Sequence, residues 1–450
     1  MLSILRPPLD AGADPAVSFS RDIAPLLHRR CATCHNEENA KGKFRLDTFT
    51  HLKTPGDTEL PSLTAGKIQD SEIYKRLIST DRTDRMPQKA DAMPAAEIER
   101  IKRWIEQGAA FDGGEEERPI VELARATLLE PAPDFYPRPI GITALAFSPD
   151  GRQIAASGYY EITIWNVADG SLARRIGGLP ERITSIAWDP VHDRIAIAGG
   201  SPAQWGAVAL IEPDAANQVR YLCDLPEMAL SVAFRPDGDE LAAGAGDRTI
   251  RLLEIPSGRT RLVLKHHADW VQSVGYSGDG QRLLSASRDR TARVVKTSNG
   301  EILTSYMGHE EALLGASFFR GDALAISFTV RNAMHLWDTH SGDRKKEIKG
   351  IRSPIQVLAA DGGEIITGSA DGLVRVTQAA DAQTIFTLRG HTDCVQSIAF
   401  HPDRKTFATG AASGEICVWD LACGTYVRRF IASPLRGPAV DASSSGRGAP

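Results

Sequence analysis

The segment Ile142-Thr-Ala-Leu-Ala-Phe147-Ser-Pro-Asp-Gly151 returns, with variations, down most of this chain. The clearest later copy is Val395-Gln-Ser-Ile-Ala-Phe400-His-Pro-Asp403. When the copies are aligned on their aromatic position, they fall at residues 147, 188, 234, 276, 318, 360 and 400. This period is typical of the four-stranded blades of a β-propeller, whose repeats span about 40–45 residues. The sequence therefore predicts an all-β domain of about seven blades.

Short motifs mark the ends and turns of these repeats. Two repeats end in a Trp-Asp pair and two contain a Gly-His pair: Trp337-Asp338, Trp419-Asp420, Gly308-His309 and Gly390-His391. In this combination of motifs and period, the region resembles the WD40 family. The resemblance implies a WD40 β-propeller over residues 141–432, which serves as a docking scaffold for other proteins.

Polar residues in the repeats are better explained by turn bracing than by catalysis. WD40 blades use hydrogen bonds from such residues to fix their tight turns. We expect that role for His309, His391, Asp247, Asp289 and Asp371.

The ends of the repeat region raise the question of how the ring closes. We expect an outer strand from one end of the chain to close it, supplied by Val121–Leu129 or by Tyr426–Ile431. Residues 115–140 contain several prolines and are predicted to be a linker. Residues 1–15 are predicted to be a flexible N-terminus, and residues 433–450 a disordered tail.

Near the N-terminus, Cys31-Ala-Thr-Cys34-His35 forms a Cys-x-x-Cys-His run, the attachment signature of c-type haem. The spacing suits this chemistry because two thiols three positions apart can each add to one vinyl group of the same porphyrin. His35 can then direct its imidazole at the iron. We therefore expect one covalent haem c, with thioether bonds from Cys31 and Cys34 and with His35 as an axial ligand.

A Cys-x-x-Cys pair alone also fits half of a zinc site or a thioredoxin-like dithiol. Zinc would need further ligands, and the only other histidines before residue 100 are His28 and His51. A dithiol of the thioredoxin type would need a βαβ setting, which the surrounding residues do not suggest. Haem is the interpretation that we prefer over these two alternatives.

A c-type haem commonly takes its second axial ligand from Met or His. Met86 lies in the polar loop Asp81–Gln88, from which a side chain can reach over a haem, and it is our predicted ligand. Met93 precedes an amphipathic helical pattern, so we expect it to pack in the core. His51 is the weaker rival of Met86.

Around these residues the region resembles the planctomycete-type cytochrome c domain of bacterial proteins. The resemblance rests on Asp22-Ile-Ala-Pro-Leu26, Gly42-Lys-Phe-Arg-Leu46-Asp47, Ser71-Glu-Ile-Tyr74-Lys-Arg76-Leu77, Met86-Pro87 and Trp104-Ile-Glu-Gln-Gly108-Ala109. One departure is Thr64-Ala65-Gly66, where a Pro-Gly is usual. The resemblance implies a small all-α cytochrome c domain over residues 16–114, with Cys31, Cys34, His35 and Met86 as its haem-binding residues.

Composition and motifs argue against several classes of function. The net charge of −5 over 450 residues gives no support to nucleic-acid binding, which needs a sustained basic surface. No apolar run approaches the ~20 residues needed to span a bilayer. The sequence also contains no nucleophile elbow, phosphate loop or dinucleotide fingerprint.

Haem c attachment implies export, so we expect a periplasmic protein. Met1–Val17 has one early arginine, three prolines and no apolar run of ~7–15 residues, and so does not match a signal peptide. Because the ligand set is intact, we expect the true start of the protein to lie upstream of Met1.

The sequence as a whole predicts a multidomain electron carrier rather than an enzyme. The cytochrome would pass one electron at a time to a redox partner, while the propeller docks proteins. One rival is a haem-free WD40 scaffold with a non-functional cytochrome domain. A second is a haem-dependent oxidoreductase of the cytochrome-plus-propeller type, which would need a second haem in the propeller.

Overall fold

The computed structural model of the chain describes residues 16–32, 34–36, 40–88, 91–202, 205–212, 218–319, 321–348, 355–361, 363–379 and 383–433. Its contacts divide the chain into two units, Met1–Leu128 and Leu129–Pro450. The predicted flexible segment 1–15 and all but the first residue of the predicted tail 433–450 lie outside the described residues. None of the described helices combines the length and apolar character that a bilayer crossing requires.

The first unit is helical, as the sequence predicts. Its α-helices are α1 (Ala24–Cys31), α2 (Phe49–Lys53), α3 (Glu72–Ile78), α4 (Ala95–Glu106) and α5 (Ile120–Leu128). Shorter π- or 3₁₀-helical turns cover Phe19–Ile23, Lys41–Lys43 and Ile68–Asp70.

The core of this unit is aromatic at its centre. The rings of Phe19 and Trp104 lie 5.4 Å apart, and those of Phe49 and Phe111 stack at 4.5 Å. α4 contributes to this core because Ile101, Trp104 and Ile105 recur at helical spacing and are buried on one face. The indole Nε1 of Trp104 donates to the carbonyl of Ala110, so the largest core side chain also leaves no buried donor unpaired.

Helix α5 corrects the predicted linker. Ile120, Leu123 and Ala124 are buried in the core of the first unit, where α5 packs against α1. The prediction that Val121–Leu129 is a closing strand is therefore wrong. The physical reason is the spacing of these apolar residues, which brings them to one face of a helix.

The following proline-rich segment is attached to the propeller. Arg175 donates from Nη1 to the carbonyl of Asp134 at 2.9 Å and from Nε to Glu161 at 2.7 Å. The hydroxyl of Tyr136 donates to the same carboxylate at 2.7 Å. Glu161 is 1 % exposed, and these bonds satisfy a buried charge that would otherwise be costly.

The described part of the second unit contains seven blades built from 27 antiparallel strands. Blades 1 and 2 share the long strand β4 and comprise β1 (Leu145–Phe147), β2 (Gln153–Ser157), β3 (Tyr159–Asn166), β4 (Leu172–Trp188), β5 (Ile195–Ser201), β6 (Trp205–Glu212) and β7 (Gln218–Leu225). Blade 3 comprises β8 (Ala229–Phe234), β9 (Glu240–Ala245), β10 (Ile250–Glu254) and β11 (Thr260–Leu264). Blade 4 comprises β12 (Val271–Tyr276), β13 (Arg282–Ser287), β14 (Ala292–Lys296) and β15 (Ile302–Tyr306).

The remaining three blades follow the same order. Blade 5 comprises β16 (Leu313–Phe319), β17 (Leu324–Thr329), β18 (Met334–Asp338) and β19 (Arg344–Ile348). Blade 6 comprises β20 (Ile355–Asp361), β21 (Glu364–Ser369), β22 (Leu373–Gln378) and β23 (Thr384–Arg389). Blade 7 comprises β24 (Val395–Phe400), β25 (Thr406–Ala411), β26 (Glu415–Asp420) and β27 (Tyr426–Ile431).

Of the two segments expected to supply an outer strand, Tyr426–Ile431 does so: it is the outermost strand of the last blade, paired with β26. The ring then closes by contact of β24 with β1, without exchange of a strand between these two blades. The amide of Ile142 donates to the carbonyl of Ala411 at 3.0 Å, and Ser397 Oγ donates to the carbonyl of Ile142 at 2.6 Å.

The predicted bracing role of the histidines is seen in blades 5 and 7. His309 Nε2 lies 2.7 Å from the hydroxyl of Ser327, and Trp337 donates to the same hydroxyl at 3.2 Å. In blade 7, Thr409 takes the place of this serine: its hydroxyl lies 2.6 Å from His391 Nε2 and accepts from Trp419 at 2.7 Å.

The aspartates fix the turns beside these strands. The backbone amides of Thr249 and Leu373 donate to Asp247 and Asp371 at 3.0 and 3.1 Å. Asp289 binds His267 Nδ1 at 2.9 Å, a brace that the sequence motifs did not indicate because His267 does not follow a glycine.

Burial of two of these histidines makes the propeller sensitive to acid. Burial lowers the pKa of His309 to about 3 and that of His391 to about 4. The unfolded chain takes up these protons near pH 6.5 while the folded chain does not, so stability is full above that pH and falls as the pH drops below it. We expect His309→Asn and His391→Asn each to reduce the loss of unfolding free energy between pH 7 and pH 5 by about 2 kcal/mol.

Urea unfolding of the full chain at both pH values measures this effect. The slope against pH is compared, rather than the absolute stability, because both substitutions also remove a hydrogen bond. His340→Asn is the control, since the His340 side chain is 73% exposed. An unchanged slope in both buried-histidine variants would contradict the assignment.

Candidate functional site

The first unit contains a cleft between α1, α3 and the loops that follow them. It holds about 820 Å³ of empty space, a volume that includes its open mouth. Its lining is mostly apolar and includes Phe44, Leu46, Leu60, Ile73 and Leu77. An apolar wall of this extent is available to a large apolar ligand.

Three of the four predicted haem-binding residues line this one cleft: Cys31, His35 and Met86. Cys34 is exposed and is not part of the lining, although its backbone amide bonds the carbonyl of Cys31 at 3.1 Å. The chain therefore brings Met86 to residues that lie about fifty positions earlier in the sequence.

The two rival ligands lie elsewhere. Met93 is 4 % exposed and packs in the core of the unit, as its position before α4 predicts. His51 lies on α2, where its Nδ1 is 3.7 Å from the carboxylate of Asp47, and it does not line the cleft. Of Met86, Met93 and His51, only Met86 lines the cleft.

The end of α1 positions the first two cleft residues. α1 ends at Cys31, and the amide of His35 donates to the carbonyl of Cys31 at 3.1 Å, which turns the chain back on itself. The carbonyl of His35 then accepts from the amide of Leu46 at 3.0 Å. The backbone amide and the backbone carbonyl of His35 are thus both hydrogen-bonded, which fixes the backbone that carries the imidazole.

The His35 ring is oriented by Phe44. Its Nδ1 lies 3.3 Å from the carbonyl oxygen of Phe44, and the two rings meet edge to face at 5.3 Å. Because a carbonyl can only accept, Nδ1 carries the proton of this bond, and in the neutral ring the lone pair then lies on Nε2. Metal-binding histidines usually have such a partner on their second nitrogen. Burial lowers the pKa of His35, which also favours the neutral ring.

The Cys31 sulfur is poorly suited to dithiol chemistry. Its burial raises the pKa of the thiol to about 12, although other atoms of the residue reach the surface. Dithiol enzymes instead lower the pKa of the attacking cysteine. Among the described residues, no group of three His, Cys, Asp or Glu side chains converges as a metal site would require.

Several residues that line the cleft were not predicted from the sequence. Phe44 and Arg76 appear in it only as letters within family motifs, and Gly56 does not appear at all. Phe44 orients His35 through its carbonyl, which any residue type possesses, so the sequence carries no signal for that role. Lys41 and Asp57 add opposite charges to the lining.

Comparison with known proteins matches the two regions separately. Residues 31–89 match the family model described as planctomycete cytochrome C. Residues 138–166, 227–253, 258–296 and 382–420 match the model described as WD domain, G-beta repeat. The chain thus combines a planctomycete cytochrome C region with WD40 repeats, and the predicted fold class is confirmed.

Curated relatives are similar over part of their length. Actin-interacting protein 1 of Drosophila melanogaster is 24% identical over 299 residues, which cover 64% of this chain and 48% of that protein. Nuclear distribution protein PAC1 of Coccidioides posadasii is 26% identical over 292 residues, with shares of 62% and 57%. Sterol regulatory element-binding protein cleavage-activating protein of Xenopus laevis is 38% identical over 76 residues, 17% of this chain and 6% of that protein. The matched part of this chain spans between 6% and 57% of the length of these relatives.

The wall of the cleft depends on a close backbone approach at Gly56. A Cβ added at this position would lie 2.5 Å from the carbonyl oxygen of Gly42, which itself accepts from the amide of Asp57 at 2.7 Å. We expect Gly56→Ala to lower the unfolding free energy of the first unit by about 1–3 kcal/mol. Hydrogen exchange of peptides across residues 40–60 measures the loss. Thr58→Ala, at an exposed neighbour, is the control, and equal exchange in both variants would refute the expected clash.

Proposed function

We propose that this chain, which combines a planctomycete cytochrome C region with WD40 repeats, is a c-type cytochrome that transfers single electrons. Cys31 and Cys34 would bind one haem c covalently, and His35 and Met86 would be its axial iron ligands. The observation that carries the proposal is that Cys31, His35 and Met86 line the same apolar cleft. A haem bound there supplies a one-electron Fe(III)/Fe(II) couple.

The residues of the cleft fit such a group. His35 offers Nε2, since its Nδ1 is engaged by the Phe44 carbonyl. Met86 offers a thioether sulfur, a ligand that raises the reduction potential of iron relative to a second histidine. If His35 and Met86 both bound the iron, no axial position would remain open, and the site would favour electron transfer over binding of oxygen or peroxide.

The surroundings serve to exclude water and to leave one edge accessible. Leu46 and Leu77 are buried beside the cleft and keep its interior apolar. Leu60 also lines the cleft but is 48% exposed, and Cys34 is exposed near the end of α1. A redox partner could approach at the exposed part of the lining around Leu60 without entering the cleft, as transfer between separate proteins requires.

The WD40 propeller is proposed to dock protein partners. Its blades leave loops exposed at both ends, and such loops usually carry recognition in rigid scaffolds. Haem c attachment further suggests a periplasmic location. The competing hypothesis is a haem-free scaffold in which Cys31, Cys34, His35 and Met86 have no role.

Covalent haem attachment is the first test. The full chain, produced with haem-maturation machinery and a supplied export signal, is expected to gain the mass of one haem and to give the pyridine haemochrome spectrum of haem c. Cys31→Ser with Cys34→Ser should abolish both signals. Cys423→Ser is the matched control, because Cys423 is an exposed cysteine of the propeller. Folded wild-type chain that takes up no haem would leave the scaffold hypothesis standing alone.

The identity of the second axial ligand is tested by two isosteric substitutions. We expect Met86→Leu to convert the ferric haem from low spin to high spin and to increase cyanide affinity at least tenfold, because an axial position becomes vacant. Met93→Leu replaces a buried core methionine at similar volume and should leave the spectrum unchanged. A low-spin spectrum in Met86→Leu and a high-spin one in Met93→Leu would reverse the assignment.

A further inference from the structure

Arg76 connects helix α3 to the loop that carries Met86. The amide of Met86 donates to the backbone carbonyl of Arg76 at 2.9 Å, so the loop folds back on the helix that it has just left. Both residues line the cleft. This backbone bond, however, restrains only the Met86 amide, whereas residues 81–84 of the same loop are exposed.

The Arg76 side chain adds a second connection. Its Nε donates to Glu72 Oε1 at 2.8 Å, one helical turn earlier, and its Nη1 donates to Asp84 Oδ1 at 3.3 Å. Glu72 is mostly buried, with 17% of its side chain exposed, and therefore fixes the guanidinium against the helix. The guanidinium thus bridges α3 to a residue two positions before Met86.

The bridge to Asp84 also restrains Met86 because hydrogen bonds hold the intervening turn together. The carbonyl of Asp81 accepts from the amides of Asp84 and Arg85 at 3.1 and 2.8 Å. The Asp81 carboxylate accepts from the amide and the hydroxyl of Thr83, both at 2.8 Å. These bonds tie residues 81–85 together, so a restraint on Asp84 also restrains the adjoining Met86.

We infer that Arg76 is a positioning residue, which holds Met86 at the wall of the cleft by bridging Glu72 on α3 to Asp84 in the Met86 loop. The alternative is that Arg76 binds an anionic group of a ligand in the cleft. Two of its N–H groups are already paired with carboxylates, which neutralise its charge, so the bridge accounts for the residue better. The inference rests on the proposed function, because it assigns a purpose to the position of Met86.

Imidazole binding to the ferric, haem-loaded full chain tests the inference, since imidazole competes with Met86 for the iron. We expect Arg76→Gln to tighten imidazole binding about threefold, the value of the one partly exposed ion pair, Arg76–Asp84, that reaches the loop. Arg76→Lys should give a smaller change, because one ammonium cannot span both carboxylates as a guanidinium does. Lys75→Gln, the neighbouring exposed cation on α3, should have no effect.

A double-mutant cycle separates positioning from general loosening. In a Met86→Leu background, Arg76→Gln should leave imidazole affinity unchanged, because no ligand remains to be positioned. Equal tightening in both backgrounds, or none in either, would overturn the inference. If Arg76→Gln takes up no haem, Asp84→Asn breaks the same bridge from the loop side and is judged by the same criteria.

Failure of the proposed function gives a different result, namely wild-type chain without covalent haem. In that case, hydrogen exchange at the Met86 amide of the haem-free chain decides the positioning role. Faster exchange in Arg76→Gln than in Lys75→Gln supports the bridge. Equal exchange in the two variants refutes it.

Discussion

The apolar contact between the first and last blades is the constraint on which the propeller depends. The described residues form seven buried clusters in the second unit, one between each pair of neighbouring blades. Each blade is therefore apolar on both flanks and cannot bury them alone. The cluster between blades 7 and 1 joins Ile142, Phe147 and Trp165 to Ile416 and Val418. Without it, two apolar flanks would face water.

The closing contact uses a serine at the same place in its repeat as the serines that join other blades. Ser185, Ser231 and Ser273 each accept with Oγ from an amide of the following blade, those of Val232, Val274 and Ala316. Ser397 has the same place in its repeat, three residues before the aromatic position, and donates to the carbonyl of Ile142 in blade 1. The last interface thus uses the same repeat serine as the internal ones, with the hydrogen bond reversed in direction.

This repetition also shows what the sequence could and could not predict. The blade number followed from the spacing of one repeat position, which lies on the inner strand of each blade and is aromatic in all of them except blade 6, where it is Ala360. The mode of closure did not follow, since Ser397 looks like any other repeat serine and its partner lies 255 positions away. Ile120–Leu128 was misjudged for a similar reason. Its apolar residues fit a helix, but its partner α1 lies about ninety residues earlier.

In the cleft, the residues that could be predicted are those whose side-chain type itself indicates a ligand role. Cys31, His35 and Met86 could be proposed because thiols, imidazole and thioether have few other reasons to occur in those motifs. Arg76 and Gly56 could not, because an arginine is ordinary on a helix surface and a glycine is ordinary in a loop. Each role depends on a group from another segment of the chain: Asp84 for Arg76, and the Gly42 carbonyl for Gly56. Such roles are visible only once the loops are in place.

Closure from within the ring has a consequence for how the two units are joined. Since blade 1 begins with its own inner strand, no residue before Gly141 is needed as part of a blade. Helix α5 is therefore free to complete the core of the first unit, which a closing strand at the same position could not do. The segment between them is still held to blade 1 through the buried carboxylate of Glu161.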